Sequence, residues 1–173
     1  MSSESKNFSL AVLVVDDETN IRRMLSLCLE TEGHRVAAVG TSEDALAEAS
    51  RRSFDIAFVD LRLGISSGLD LIPALINASP GVKIIVITAY ASIDTAIEAI
   101  KRGATDYIPK PFTPAQIKLA VHKVCEMRSL EQKVASLRED LGHAHFATDI
   151  SSERGPLPCR ISGQKTMPPE WKN

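Results

Sequence analysis

Five short apolar runs alternate along the chain with stretches whose apolar positions recur at helical spacing. The runs are LAVLVV (10–15), RVAAV (35–39), DIAFV (55–59), VKIIVI (82–87) and TDYI (105–108). The first and fourth are apolar and rich in Val and Ile, as expected of strands buried on both faces. Between the runs lie Ile21, Leu25 and Leu29, then Leu69, Ile72 and Ile76, then Ile93, Ile97 and Ile100, spaced as the inner faces of crossover helices. Thr19 and Thr41/Ser42 stand where helix N-caps belong, and Gly33, Gly81 and Gly103 where helices end. Five βα units predict an α/β fold with a doubly wound, parallel, five-stranded sheet and helices on both faces.

The pattern changes after Phe112. Pro114 suits the first turn of a helix, and apolar residues follow at Ile117, Val121, Val124, Met127, Leu130, Val134, Leu137 and Leu141. From Met127 the spacing is 3, 4, 3, 4, so the last helix is expected to continue as an amphipathic rod, either a short coiled coil with a second copy or a solvated linker. Residues 142–173 hold Gly155, Pro156, Pro158, Pro168 and Pro169 without an apolar period and read as a disordered tail. The expected organisation is an N-terminal tail over 1–9, a domain over 10–126, a helical linker over 127–141 and the tail over 142–173.

Composition narrows the classes. With 20 Lys and Arg against 22 Asp and Glu in 173 residues, the chain lacks the overall basic excess of a nucleic-acid binder, and no DNA contact is expected. Cys28, Cys125 and Cys159 form no CxxC pair, which argues against a disulfide framework or a zinc site. No apolar run reaches the roughly 18 residues a membrane helix needs, and the six-residue apolar stretch before Asp16 is too short for a secretory signal. A cytoplasmic protein without membrane contact is expected. Gly163-Gln164-Lys165-Thr166 lacks the earlier glycine of a phosphate loop. His143 and His145 lack further ligands nearby and read as solvated tail residues.

Ligands of open parallel sheets sit beyond the carboxyl ends of the strands. Those ends carry Asp16-Asp17, Asp60, Thr88 and Lys110-Pro111. Carboxylates held together repel one another, and a cation such as Mg2+ relieves the repulsion. The same ion would bridge to a phosphoryl group, with one Asp as acceptor, Lys110 supplying charge and Thr88 a hydroxyl. Any one of these Asp residues alone would read as a turn or cap residue.

VVDDE (14–18), FVDLRLG (58–64), Gly68, ITAY (87–90) and GATDYIPKPF (103–112) together resemble the receiver domain of bacterial two-component response regulators, over roughly Leu10 to Val124. The resemblance implies a flavodoxin-like strand order 2-1-3-4-5 and a cis Lys110-Pro111 bond. It implies Asp60 as phosphoacceptor, Mg2+ held by Asp16, Asp17, Asp60 and the Arg62 carbonyl, and Lys110 and Thr88 on the phosphoryl group. Tyr107 matches the aromatic that turns inward with Thr88 on switching, and reads equally as a core-edge residue. Arg62 and Tyr90 flank the path of the attacking water. A sensor histidine kinase is the implied phosphodonor, and a homodimer through the fourth and fifth helical faces and the linker the implied output. The chain departs from the LPxMxG pattern with Gly64-Ile65-Ser66-Ser67-Gly68, which predicts a more flexible loop.

Within the family, DLRLG and the stretch through GATDYIPKPF are most similar to sigma-54-dependent, NtrC-type activators of the alginate-biosynthesis branch. Only 47 residues follow Glu126, fewer than an ATPase output domain requires. A fragment, a frame-shifted product and a natural short form remain open. Enzymatic turnover beyond self-phosphorylation and autodephosphorylation is not expected, and a receiver-like interaction module without phosphorylation is the alternative reading. A hydrolytic phosphatase would need DxD spacing, which Asp16-Asp17-Glu18-Thr19 lacks. An acidic pair after the first strand disfavours a flavin phosphate.

Overall fold

The computed structural model describes residues 9–147 apart from Ala91, with side chains to residue 139. The residues before and after this range, including Cys159 and Gly163–Thr166, lie outside it, as do the side chains of His143 and His145.

Five parallel strands form one sheet: β1 (Ala11–Val15), β2 (Arg35–Val39), β3 (Ile56–Val59), β4 (Lys83–Thr88) and β5 (Asp106–Pro109), in the order β2-β1-β3-β4-β5. Successive side chains of a strand point to opposite faces, so each apolar run feeds two cores. Leu13, Val15, Ala57, Val59, Ile84 and Val86 pack under helices α2 (Ser42–Arg51), α3 (Gly68–Ala78) and α4 (Ile93–Lys101). Val12, Val14, Ile56, Phe58, Ile85 and Ile87 pack under α1 (Thr19–Thr31) and α5 (Pro114–Ala147). That two-sided burial explains why β1 is a continuous aliphatic block and β4 carries one over residues 84–87, whereas the edge strand β2 exposes Arg35 and Ala38.

Two details correct the sequence reading. Thr41 caps α2 by accepting the Asp44 N–H, but Thr19 lies inside α1, whose cap residue Glu18 contributes no side-chain bond. Ile93, Ile97 and Ile100 do not face the sheet: they are 80%, 48% and 49% exposed, while Ala99 is the buried residue of α4. Helical spacing identifies an apolar stripe but not the side on which the sheet lies.

Helix α5 runs on to Ala147, six residues past the expected end of the rod. Gly142 inside it costs about 1 kcal/mol relative to Ala but does not stop a helix. The chain separates into a compact unit through Glu131 and a second from Gln132. Within the first, Arg128 pairs with Asp55 and Lys83 Nζ with Glu131 Oε1 (2.7 Å). No helix among the described residues is long and apolar enough to cross a membrane.

Candidate functional site

In this strand order, β1 crosses to β2 on one side and the chain returns to β3 on the other, leaving a crevice at the carboxyl ends of β1 and β3. Backbone bonds extend the sheet register into the loops there. The Asp16 N–H donates to the Val39 carbonyl (3.2 Å), the Asp60 N–H to that of Val15 (2.9 Å) and the Lys110 N–H to that of Thr88 (2.9 Å). Residues 94 apart in sequence are thereby fixed on one rim.

Lys110 Nζ is the centre of the cluster. It donates to Asp60 Oδ2 at 2.7 Å, to Asp16 Oδ2 at 2.8 Å and to Glu18 Oε1 at 3.1 Å. Asp16 and Asp60 are buried, while Asp17 and Glu18 stand at the mouth. Burial pushes the Asp16 carboxyl above its ordinary value, and the bonds from Lys110 and the Glu18 N–H pull it only part of the way back. Burial also opposes the charge of Lys110, yet its bonds to Asp16 and Asp60 outweigh this and hold the ammonium well above the usual lysine range. Two further oxygens are held by backbone: the Arg62 N–H donates to Asp60 Oδ1 (3.1 Å) and the Gly64 N–H to Asp17 Oδ2 (3.2 Å).

Carboxylate oxygens of Asp16, Asp17, Glu18 and Asp60 all lie within 4.8 Å of one another. Such a set of hard oxygen donors, partly open to solvent, fits a divalent cation like Mg2+ or Ca2+ that keeps some of its waters.

The loop expected to be loose closes on itself. Arg62–Leu63 and Ser66–Ser67 pair as a two-residue antiparallel ribbon turned at Gly64 (φ 62°) and Ile65. Gly68 then returns the chain so close to Asp60 that a Cβ would strike its carbonyl oxygen and the Leu61 Cα. Arg62 lies over the Tyr90 ring, 4.4 Å from its centroid, spanning the β3 and β4 loops. The Lys110-Pro111 bond is cis.

Asp16, Asp17, Asp60 and Lys110 are therefore brought together. The fully buried Thr88 accepts the Tyr90 N–H (3.3 Å). Tyr107 lies apart from the carboxylates: its hydroxyl donates to the Tyr90 carbonyl (3.3 Å) and lies 3.4 Å from Thr95 Oγ1. Sequence reasoning assigned no role to Glu18, although it closes VVDDE, or to Arg22, for which no spacing rule gives a signal.

A family model described as the response regulator receiver domain matches residues 12–122. The chain belongs to this family. The receiver is 38% identical over 130 residues to the alginate biosynthesis transcriptional regulatory protein AlgB of Pseudomonas aeruginosa, covering 75% of this chain and 29% of that one. The matched stretch thus spans less than a third of the length of the alginate regulator. Among solved structures, a response regulator from Burkholderia pseudomallei with a phosphorylated aspartic acid, calcium ion and citrate shares 36% identity at a TM-score of 0.64, over 71% of this chain and 73% of that one. NtrX from Brucella abortus in complex with ADP shares 32% identity at a TM-score of 0.71, over 78% of the receiver and 30% of NtrX.

Proposed function

We propose that the receiver is a cytoplasmic phosphorylation switch in which Asp60 accepts a phosphoryl group from the phosphohistidine of a sensor histidine kinase. The observation that carries this reading is the contact of Lys110 with Asp60 and Asp16 at the sheet's switch point (2.7 and 2.8 Å). A carboxylate oxygen of Asp60 attacks phosphorus as the P–N bond breaks, and the imidazole leaves with the bonding pair. Lys110, already beside Asp60, neutralises charge on the phosphoryl oxygens, and Thr88 donates its hydroxyl to one of them. Asp16, Asp17, Asp60 and the Arg62 carbonyl would hold Mg2+, which supplies further neutralisation of that charge.

For Thr88 to donate there, its hydroxyl must leave the Tyr90 N–H, and the Tyr90 carbonyl is the group that Tyr107 and Thr95 hold. Phosphorylation would thus release the β4–α4 turn and favour a second arrangement of α4 and Tyr107. The output is a homodimer through the faces of α4 and α5 and the linker, where Ile93, Ile97, Leu119, Met127, Leu130 and Leu137 are exposed. Similarity to the alginate regulators supports a place in transcription control of the sigma-54-dependent type, with DNA contact made outside this chain.

Intact mass after incubation with acetyl phosphate tests the reading. One phosphoryl adduct that requires Mg2+ and disappears in Asp60→Asn is expected. A folded protein that binds Mg2+ but gains no adduct would overturn it in favour of an interaction module.

A further inference from the structure

Arg22 lies on the first turn of α1, half-buried, outside the carboxylate cluster. Its guanidinium donates through Nη1 to the carbonyl oxygens of Asp16 (2.7 Å) and Asp17 (3.0 Å), and through Nη2 to Thr19 Oγ1 (3.0 Å). Neither carbonyl belongs to the helix ladder, whose first acceptor is the Glu18 carbonyl, taken by the Arg22 N–H (3.1 Å). Glu18 supplies no side-chain cap to α1. One nitrogen therefore reaches the carbonyls of both acidic residues, and the other anchors the guanidinium to Thr19. The same guanidinium runs along the backbone that follows β2: a Cβ at Gly40 would stand 3.2 Å from Nη1 and 3.6 Å from Cζ.

We infer that Arg22 is a positioning residue for the acidic pair, fixing the direction in which Asp16 and Asp17 present their carboxylates to a divalent cation. The inference rests on the proposed function only in taking that pair as the cation's ligands. Its sign is unusual. By charge alone, a guanidinium beside a cation site weakens binding, so its removal would tighten Mg2+ and its replacement by Lys would change nothing. By positioning, loss of these bonds weakens Mg2+ in both cases, because an ammonium has no second nitrogen to anchor on Thr19 while the first spans both carbonyls.

Mg2+ titration calorimetry of the full chain, with thermal melting in EDTA and in Mg2+, separates these. Arg22→Met and Arg22→Lys are each expected to raise the Mg2+ Kd by about tenfold, the lower end for partners that orient metal ligands. Gly40→Ala, which keeps the guanidinium and its charge but displaces it by a few tenths of an ångström, should move Kd the same way by less. The Mg2+-induced rise in melting temperature should shrink in the same order. Wild-type or tighter binding in Arg22→Met, or wild-type binding in Arg22→Lys, would overturn the inference. If Arg22→Met does not melt cooperatively in EDTA, the Lys and Gly40→Ala variants decide it by the same criteria. An absence of Mg2+ binding in the unaltered chain would overturn the proposed function itself, and this inference with it.

Discussion

The carbonyl oxygen of Asp60 fills the space that a side chain at Gly68 would require, well inside the 3.0 Å at which real Cβ contacts end. The obstacle is backbone held in place: the Asp60 N–H is bonded to Val15, and the Gly68 N–H returns to the Leu61 carbonyl at 2.9 Å. Gly68→Ala should therefore destabilise the domain by about 2 kcal/mol, as overpacking against an unyielding neighbour does. Denaturant midpoints equal to those of the unaltered protein would contradict this.

Asp16 gives the pH dependence a definite sign. Its pKa in the fold lies above the ordinary value near 3.8, so the folded state holds its proton more tightly than the unfolded chain. Stability is then lost as pH rises from that value through the raised one, and does not return above it. In EDTA at neutral pH, Asp16→Asn should unfold later than the unaltered protein, and the advantage should vanish in acid. Equal or lower stability of the variant at pH 7 would refute the reading.

Removing Lys110 has the opposite effect. Its side chain is 9% exposed and its partners Asp16 and Asp60 are 3% and 7% exposed, so Lys110→Ala leaves two buried carboxylates without their cation. A cost of about 3 kcal/mol in EDTA is expected. Mg2+ should restore part of it, and chemical denaturation with and without the ion measures both quantities.

The Arg62–Tyr90 stack bridges the loops that follow β3 and β4. Replacing both with Ala should open the rim to water and shorten the lifetime of the phosphorylated form without preventing labelling. Decay followed by intact mass provides the comparison, and an unchanged lifetime would remove the stack from the hydrolysis step.

Ile93 and Ile97 serve the surface rather than the core. Ile93→Glu with Ile97→Glu should alter stability by no more than about 0.5 kcal/mol, yet abolish concentration-dependent dimerisation in sedimentation with a phosphate mimic. A large loss of stability would place these residues in the core instead.

The fold was legible because a strand buried on both faces needs an unbroken aliphatic run, which β1 supplies over its length and β4 over residues 84–87. The rim was legible because topology alone brings strand ends together, so Asp16, Asp60 and Lys110 meet wherever their strands pair. The orientation of α4 was not, since the same isoleucine spacing suits an inward or an outward stripe. Arg22 was hidden for another reason: its partners are backbone carbonyls, whose direction depends on local dihedrals rather than on residue type. The ribbon at Gly64 escaped because a Gly-Ile-Ser-Ser sequence suits a loose loop as well as a tight one, and its bond to Asp17 is a tertiary contact.

One consequence of the Lys110 cluster concerns the order of events. Four carboxylates face a single ammonium at this rim, leaving an excess of negative charge around Asp60. A phosphodonor is itself an anion and is repelled from such a field until a cation has entered. On the function proposed above, the ion would therefore arrive before the phosphoryl group, and the acidic rim would disfavour an anionic donor while the site is unloaded.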